Sequence, residues 1–502
     1  MTQDYRSLLS GAEILGRAIK TDDQPIVLTP EIAERIGYAF AMWLSKAQHT
    51  PPEDLTIAVG RDPRMSGEAL IKRLINGLTI ADCDVLDCGL CTTPAMFLST
   101  LSPEIQADGA VMVTAGKHPP HMNGLTLISR KGALSSSDIE EILAYAQEET
   151  LPQRLVTGLD FLSQYREYLS DMVRRELGTD VQCPLLGLHV IVDAGGGSGG
   201  FYADLLEELG AEVTGSRLLE PDGHFAGHAP DPDEAQIIAD LGCVVTENTA
   251  DLGVLFDADC KRAAIVDETG APINRNRLIA LLAAILLEDN PGAAFVTDSV
   301  TSSGLQRFIT EWGGVHYRFK RGYANVIHEA IRLNQEGIDC PLAIETSGHA
   351  AFRDNHFLDD GMYLVTRILC EALRLKREGR TLRALTEELA DPIERVEVRM
   401  RLQSPDYKKA AQGIIEIILS HTLENPAWRL AADNREGVRI IFDLDGGVDN
   451  AWFMMRLSLH DPVMALNAES DVPGGVKYML TALYALLQSA SDLLDLEPLT
   501  RF

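Results

Sequence analysis

The fold class follows from Leu252-Gly253-Val254-Leu255-Phe256-Asp257, a short apolar run that ends in aspartate. Runs that are apolar throughout suit strands buried on both faces, because a half-exposed strand would alternate apolar with polar residues. Helical patterns follow most of these runs, and this alternation is typical of α/β layers with parallel strands. Four further runs have the same character and lie at 55–60, 110–114, 188–193 and 293–298.

The pattern changes after Arg380. Residues 393–400 and 437–442 alternate between apolar and polar side chains, which indicates antiparallel strands with one wet face. The turn-rich stretch before 293 and the helical stretch near 161–177 mark boundaries between layers. We therefore predict three similar α/β domains with mainly parallel sheets and a smaller C-terminal α+β domain. The predicted bounds are 1–165, 166–290, 291–385 and 386–502.

Composition limits the classes of partner. The chain has 502 residues and a formal net charge of -30, so long-range repulsion disfavours nucleic acid and anionic membranes. No apolar stretch is long enough to span a membrane, and the N-terminus lacks the basic and apolar regions of a signal peptide. Eight cysteines in a chain of this length predict no disulfide scaffold. We expect a cytoplasmic protein in which any anionic ligand binds at a locally basic pocket.

Three polar loops follow predicted strands. They lie at 60–62, 114–124 and 257–262, where strands of parallel layers end. Ligands of open α/β sheets meet the loops at the carboxyl ends of strands. The loop at 114–124 is rich in glycine and proline and contains Lys117 and His118, so its backbone N–H groups and cations suit a phosphate. The loops predict a binding site at this edge.

These loops together resemble those of the α-D-phosphohexomutase family, which includes phosphoglucomutase and phosphomannomutase. The resemblance runs through almost the whole chain and is strongest to a divergent branch known from plants and cyanobacteria. It implies four domains around a central cleft, with one loop from each. A phosphoserine in the family donates its phosphoryl group to a hexose phosphate. The matching segments are Gly60-Arg61-Asp62-Pro63-Arg64-Met65-Ser66-Gly67, Thr114 to Gly124, Glu345-Thr346-Ser347-Gly348-His349 and Arg456 to Pro462.

The resemblance places Gly116 at the phosphoserine position. Glycine has no hydroxyl that could carry a phosphoryl group. Lys117 stands at the family's histidine and His118 at a position that is often asparagine, so the catalytic loop keeps its basic character. Transfer of the covalent role to Thr114 or His118 is an alternative, and it requires a side chain in line with the sugar phosphate.

A second loop departs from the family in a parallel way. Asp257 and Asp259 match two of the three aspartates that bind Mg²⁺ in the family, whereas Lys261 replaces the third. An ammonium among carboxylates neutralises them and repels a divalent cation, so we expect weak or absent magnesium binding. If Lys261 instead points to solvent, two aspartates and water still hold a metal. Leu15 also replaces a family arginine, for which Arg17 could substitute.

The binding loops match the family better. The resemblance implies that Glu345 and Ser347 bind hexose hydroxyls and that a basic loop at 319–323 lies nearby. A cradle of arginine, serine and histidine suits a phosphate that does not react. The residues expected to bind substrate are Lys320, Arg321, Glu345, Ser347, His349, Arg456, Ser458 and His460.

Three other patterns have weaker functional interpretations. The glycine-rich run at 195–200 could cradle a nucleotide phosphate, but we favour a turn between strand and helix. Cys88 and Cys91 form a C-x-x-C pair, which we interpret as buried small residues and not as a metal or redox site. His224 and His228 are four residues apart in a stretch that is not helical, so a metal pair is disfavoured.

Two functions fit these observations. The first is a binding protein for hexose phosphates of the glucose 1-phosphate or glucose 6-phosphate type, with impaired phosphoserine and magnesium chemistry. The second is an active phosphoglucomutase, phosphomannomutase or glucose 1,6-bisphosphate-related phosphotransferase that uses altered residues. Bound glucose 1,6-bisphosphate could then replace the covalent phosphate.

Overall fold

The structure, a computed structural model, describes residues 4–21, 24–147, 157–178, 181–458 and 461–502. Two compact units emerge from its backbone contacts. The first comprises Met1–Arg275 and Ser347–Ala384, and the second comprises Asn276–Thr346 and Leu385–Phe502.

A mixed sheet begins the first unit. Its central strand Thr56–Arg61 pairs in parallel with both neighbours, whereas Met122–Ser129 pairs antiparallel to Gly109–Val113 and to Glu13–Arg17. The strand order is Leu9–Ser10, Glu13–Arg17, Met122–Ser129, Gly109–Val113, Thr56–Arg61, Asp84–Leu90, Thr157–Gly158, and Gly132–Ala133 pairs with Met122–Ser129.

Among the described residues, four helices accompany this sheet, and capping residues mark the start of several of them. Pro30–Gln48 begins after Thr29, whose hydroxyl accepts a hydrogen bond from the amide of Ile32, and proline occupies its first position. Leucine, isoleucine and valine side chains of helices and strands share one buried core. The helices are Pro30–Gln48, Gly67–Ile80, Thr93–Ser99 and Ser136–Ala146.

A second sheet in the first unit carries the loop at 257–262. Leu252–Phe256 is buried along its whole length, pairs in parallel with Val190–Asp193, and pairs antiparallel to Ala263–Asp267. Pro272–Ile273 completes the sheet at the edge. The first unit also contains the short strand Ala350–Phe352 and the helices Leu162–Leu177, Phe201–Glu208, Ala235–Glu247 and Gly361–Arg377.

The second unit contains a parallel group of strands. Ala294–Thr297 lies between Val315–Arg318 and Leu342–Ile344. Because all three strands run in one direction, their carboxyl ends bring the loops after 297, 318 and 344 to one edge. The accompanying helices are Arg275–Asp289, Ser303–Glu311 and Tyr323–Gln335.

The C-terminal part of the chain forms an antiparallel sheet, with five strands among its described residues. Its apolar face and two helices, Tyr407–Glu424 and Gly475–Leu487, enclose a separate core that contains Trp428 and Phe453. The edge strand Glu394–Arg401 alternates in exposure as predicted. The wet face predicted for 437–442 is wrong, because Val438–Phe442 is buried apart from the half-buried Ile441, and Arg439 is 2% exposed and packs over the Trp452 ring. The strand order is Glu394–Arg401, Val463–Ser470, Ala451–Leu457, Val438–Phe442 and Arg429–Leu430.

The fold class predicted from the sequence is confirmed. Each apolar run predicted as a buried strand forms one, and the alternating runs form strands of the C-terminal sheet. The α/β sheets are mixed, since antiparallel strands flank parallel pairs. Within the described ranges, no helix combines the length and the apolar character that a membrane span requires.

Candidate active site loops

The loop at 114–122 is held from outside by Arg64. The guanidinium of Arg64 is buried and bonds to the Asp62 carboxylate, with 2.9 Å between Nε and Oδ2. Its remaining N–H groups donate to four carbonyl oxygens of the loop, at 2.6–3.0 Å. These belong to Gly116, His118, Pro119 and Met122. Arg64, held by Asp62, therefore fixes the path of the loop.

Gly116 adopts a left-handed backbone conformation with φ of 51°. A Cβ placed on Gly116 would lie 3.7 Å from Asp259 Oδ1, so this position faces the loop at 257–262. Thr114 is buried, and its hydroxyl donates to Asp62 Oδ2 at 2.8 Å while accepting from the Gly116 amide at 3.1 Å. Both hydrogen bonds commit the Thr114 hydroxyl to the loop, which disfavours it as a nucleophile.

Lys117 and His118 are exposed residues of the same loop. Lys117 Nζ lies 3.4 Å from Asp231 Oδ2 and 3.7 Å from Asp233 Oδ2. The His118 amide donates to the Ala115 carbonyl at 3.0 Å. The cation expected at Lys117 is thus present, and acidic residues of the same unit contact it.

Both aspartates of the second loop are buried and occupied by protein donors. Asp257 accepts from the Arg262 amide at 3.0 Å and from Arg262 Nε at 2.9 Å. Burial and the neighbouring Asp259 raise the pKa of Asp257, although Arg262 opposes them. Asp259 Oδ2 accepts from the Thr93 hydroxyl at 2.6 Å. Asp259 Oδ1 has no hydrogen-bond partner among the described residues.

Lys261 points into this loop and away from solvent. Its side chain is 6% exposed, and its Nζ lies 2.5 Å from Glu13 Oε1 and 3.4 Å from Asp259 Oδ2. Burial would raise the pKa of Glu13, but the ammonium and its hydrogen bond outweigh burial and lower that pKa from 4.5 to about 2. The alternative in which Lys261 faces solvent is therefore wrong.

These residues do not fit a magnesium ion. Magnesium prefers near-octahedral oxygen ligands with several waters, yet Arg262 engages both oxygens of Asp257. The ammonium of Lys261 lies against Asp259, where a dication would be repelled. The unpartnered Asp259 Oδ1 is a single oxygen and does not make a ligand set. Across the described residues, no group of three or more acidic, histidine or cysteine side chains has metal-binding geometry.

His349 lies in the first unit beside these loops. Its backbone forms a bridge with Arg262, and its Nδ1 lies 2.7 Å from Asp359 Oδ2. Burial, with Arg262 and Lys261, lowers the pKa of His349 to about 3, so the ring is neutral. Burial raises the pKa of Asp359 well above its usual range. The structure therefore joins His349 to the altered loops, although the sequence suggested a substrate-binding role.

Arg17 does not take the place of the family arginine that Leu15 replaces. Its guanidinium donates to the Pro25 carbonyl at 3.0 Å and to the Gln24 side chain. Glu13, in the same strand, is the residue that reaches the site. No local signal in the sequence identifies it, because its partner Lys261 is 248 positions away.

A second group of polar residues clusters in the second unit. Glu345 is buried, and its Oε1 accepts from the Gly322 amide at 2.6 Å. The Arg321 amide donates to Glu436 Oε2 at 3.0 Å, and Arg321 Nε lies 4.0 Å from Asp298 Oδ2. The sequence identified Arg321 and Glu345 but missed Asp298 and Glu436.

Arg456 is buried in this group, with 6% of its surface exposed. Its Nε has no hydrogen-bond partner among the described residues. Burial and then Arg321 lower the pKa of Arg456, while Glu436, Asp298 and Glu345 oppose them. Two cations and three carboxylates thus interact here, and the buried Nε of Arg456 is unpaired among the described residues.

The other predicted binding residues are less informative. Lys320 is exposed. Ser347 belongs to the first unit. The Ser458 amide donates to the Val463 carbonyl at 2.8 Å, and His460 lies outside the described residues.

The remaining sequence patterns have structural roles. The glycine-rich turn follows Asp193, whose Oδ1 accepts from the Gly195 amide at 3.0 Å and whose Oδ2 lies 2.9 Å from His228 Nε2. The hydrogen bond to Asp193 raises the pKa of His228. Cys88 and Cys91 are buried, and burial raises the pKa of Cys88 to about 12.

Comparison with known proteins decides the family. Models of phosphoglucomutase/phosphomannomutase α/β/α domains I, II and III match residues 12–153, 166–270 and 274–393. The chain belongs to the α-D-phosphohexomutase family. The matches follow one another in the order of the family's domains and cover most of the chain.

Relatives within the phosphohexomutase family span most of the chain. A phosphomannomutase/phosphoglucomutase of Pseudomonas syringae is 30% identical over 476 residues, covering 93% of this chain and 94% of the relative. A solved family protein from Burkholderia thailandensis has a TM-score of 0.79 at 25% identity and covers 98% of both chains. An Aspergillus fumigatus N-acetylphosphoglucosamine mutase, solved with GlcNAc-6P and magnesium, shares the fold with a TM-score of 0.54, at 14% identity and 89% and 80% coverage.

Proposed function

We propose that this phosphohexomutase-family chain binds hexose phosphates of the glucose 1-phosphate or glucose 6-phosphate type without the family's usual phosphoserine and magnesium chemistry. Gly116 carries the proposal. It faces Asp259 across 3.7 Å, measured from a Cβ placed on the glycine, and it has no atom that could accept a phosphoryl group. Phosphoryl transfer through this position is therefore chemically impossible.

The loop at 257–262 supports the same proposal. Catalysis of phosphoryl transfer rests on positioned cations that neutralise charge as it develops on the transferred group. Lys261 is a fixed monovalent cation, and Glu13 and Asp259 already neutralise it. Since nucleophile and charge stabilisation act as a unit, loss at both loops removes more activity than either loss alone.

The second unit supports retention of binding. Arg456 and Arg321 repel one another, and a phosphate dianion between them would relieve that repulsion. Glu345 and Asp298 offer buried carboxylate oxygens, which are acceptors for sugar hydroxyl groups. We assign the phosphate to Arg456 and Arg321 and the hydroxyl groups to the carboxylates.

Active mutase chemistry through altered residues is the second candidate. The observation that favours it is the naming of relatives as phosphomannomutase/phosphoglucomutase across nearly the whole chain. It requires either glucose 1,6-bisphosphate as the phosphoryl donor or a new nucleophile. His118 is the candidate nucleophile, because the Thr114 hydroxyl is already occupied.

Calorimetric titration with glucose 1-phosphate and glucose 6-phosphate, with EDTA or with Mg²⁺, tests the proposal. We expect binding that Mg²⁺ does not change, and no binding of unphosphorylated glucose. Arg456→Gln should weaken binding by about 100-fold, because it removes a buried charge partner of the phosphate. Arg401→Gln, at an exposed strand position of the same unit, is the control and should leave the affinity unchanged.

A coupled mutase assay with Mg²⁺ and added glucose 1,6-bisphosphate separates the two candidates. We expect no turnover. Sustained interconversion of the two glucose phosphates that Lys117→Ala abolishes would establish the mutase instead. Failure of both sugar phosphates to bind would exclude the binding function.

A further inference from the structure

An acidic segment of the first unit lies against the basic loops. Ala229-Pro230-Asp231-Pro232-Asp233 precedes the helix Ala235–Glu247. Its prolines fix backbone φ, and Asp231 Oδ1 accepts from the Asp233 amide at 3.2 Å. A Cβ placed on Gly195 would lie 3.1 Å from Pro230 Cβ, so the glycine-rich turn allows this segment to pack closely. The two carboxylates are thus presented from a stiff backbone.

Both carboxylates bridge the same two cations. Lys117 Nζ lies 3.4 Å from Asp231 and 3.7 Å from Asp233. Arg262 Nη1 lies 3.7 Å from Asp231 Oδ1 and 3.6 Å from Asp233 Oδ2. Lys117 belongs to the loop with Gly116, and Arg262 ends the loop with Lys261. The acidic segment therefore connects the two loops that depart from the family pattern.

The two carboxylates of this bridge together carry about the same charge as a phosphate ester. Burial alone would lower the pKa of Arg262, but the carboxylates of Asp257, Asp233 and Asp231 together raise it. Asp231 and Asp233 carry two negative charges, and a phosphomonoester carries about -1.5 to -2 at pH 7. The side chains of Lys117, Asp231 and Asp233 are 41%, 23% and 31% exposed, so solvent and small ions reach the bridge.

We propose that Asp231 and Asp233 are a built-in competitor for phosphate. Their carboxylates neutralise Lys117 and Arg262 in the ligand-free protein, and a phosphate group that binds at this second position, separate from Arg456 and Arg321, displaces them. This inference rests on the proposed binding function and adds a second, self-inhibited phosphate position in the first unit. It implies that the intrinsic affinity of the basic pair exceeds the affinity measured in the native chain, because ligand binding first breaks four ion contacts.

Neutralising the segment tests the competitor. Asp231→Asn with Asp233→Asn keeps the size and the amide-accepting oxygen of both side chains while removing both charges. Inorganic phosphate and glucose 1-phosphate are titrated separately at low ionic strength. We expect the double variant to bind both anions about tenfold more tightly, an effect that falls with salt. Asp204→Asn, an exposed helix position in the same unit, is matched in charge and should change neither affinity.

Thermal unfolding gives a second readout. The double variant should have a lower Tm without phosphate, since Lys117 and Arg262 lose their partners, and phosphate should restore it. A purely structural role would lower the Tm without restoration. The single variant Asp233→Asn, at the more exposed of the two positions, should show the same changes in Tm at reduced size. It provides the test if the double variant does not fold.

The outcomes separate the two proposals. Wild-type binding of glucose 1-phosphate with no tightening in the Asn variants would overturn the competitor and leave the binding function standing. No binding of glucose 1-phosphate by wild type or by variants would overturn both. If Lys117→Met, added to the double variant, abolishes its gain in anion affinity, the competitor is supported. The gain would then depend on the Lys117 cation that the aspartates no longer neutralise.

Discussion

The two groups of polar residues balance their charges differently. In the first unit, Lys261 contacts Glu13 and Asp259, and Arg262 contacts Asp257, so each buried cation has a carboxylate of its own. In the second unit, the pKa of Arg456 is lowered by burial and by its neighbour Arg321. The first group is neutralised by direct ion pairs, while in the second group three carboxylates lie near Arg456 but none forms an ion pair with it among the described residues.

This difference indicates which group requires a ligand. A buried charge with a good partner contributes to stability and has little to gain from an added ion. A buried guanidinium with an open N–H gains a charge-assisted hydrogen bond when an anion arrives. Lys261 and its carboxylate partners are thus expected to affect folding stability, and the second group to affect affinity.

Removal of Lys261 should give the largest effect. Lys261→Met keeps the length of the side chain but leaves the half-buried Glu13 and the fully buried Asp259 without their cation. Breaking a buried ion pair by removing one partner costs about 3–5 kcal/mol. Urea unfolding near pH 7 measures the change in the free energy of unfolding. An unchanged free energy of unfolding would show that Lys261 does not stabilise the fold by neutralising Glu13 and Asp259.

The same variant has a defined pH dependence. Because the pKa of Glu13 is lowered from 4.5 to about 2, its pairing stabilises the native state above about pH 4.5 and is lost as pH falls through about 2. The difference in stability between wild type and Lys261→Met should therefore narrow over that range. Glu13→Gln added to Lys261→Met should recover part of the loss at neutral pH.

Glu436 allows a test of how the second group is positioned. Its Oε2 accepts from the Ser299 hydroxyl at 2.7 Å and from the Arg321 amide at 3.0 Å. Glu436→Ala removes this acceptor, and we expect binding of glucose 1-phosphate to weaken by about tenfold. Glu436→Gln keeps an acceptor oxygen and should remain within about twofold of wild type, because it also reduces negative charge near the phosphate.

Exposed Glu397 provides the matched control, since Glu397→Ala removes a carboxylate from the same unit at a strand position that faces solvent. Equal losses for the Ala and Gln variants of Glu436 would mean that its charge, and not its acceptor oxygen, sets the affinity.

Restoring the lost groups should have the smallest effect. Gly116→Ser places a side chain at φ of 51°, which costs about 1 kcal/mol of stability. Gly89→Ser is a control for this strain, because Gly89 has φ of 62° and open space around it. With Lys261→Asp added, we expect slow Mg²⁺-dependent mutase turnover and a higher Tm in Mg²⁺. Either substitution alone should give no turnover. A double variant without Mg²⁺-dependent turnover would indicate further losses, such as the arginine missing at position 15.

Much of the fold could be predicted from the sequence because its signals are local. The run at 252–257 is apolar throughout and is a strand buried on both faces. The alternation at 393–400 produced the half-exposed strand Glu394–Arg401. The family resemblance also identified Gly116, Lys261 and Arg456. The first two lie in loops that follow strands, and Arg456 lies near the end of the strand Ala451–Leu457.

Partners of those residues could not be predicted in the same way. Glu13 meets Lys261 only because Glu13–Arg17 pairs with Met122–Ser129, a register that single-sequence patterns do not specify. Glu436 lies beyond any motif, and its contacts with Ser299 and Arg321 depend on how distant segments pack. A buried charge signals that a counter-charge exists, but only tertiary structure identifies it.

Arg64 separates the shape of its loop from the chemistry of that loop. It contacts the loop at 114–122 through backbone oxygens, which every amino acid supplies. Substitutions of the loop's side chains therefore leave these hydrogen bonds intact. The reactivity of the loop can thus change by mutation while its path, and the surface that it offers to a ligand, stays the same.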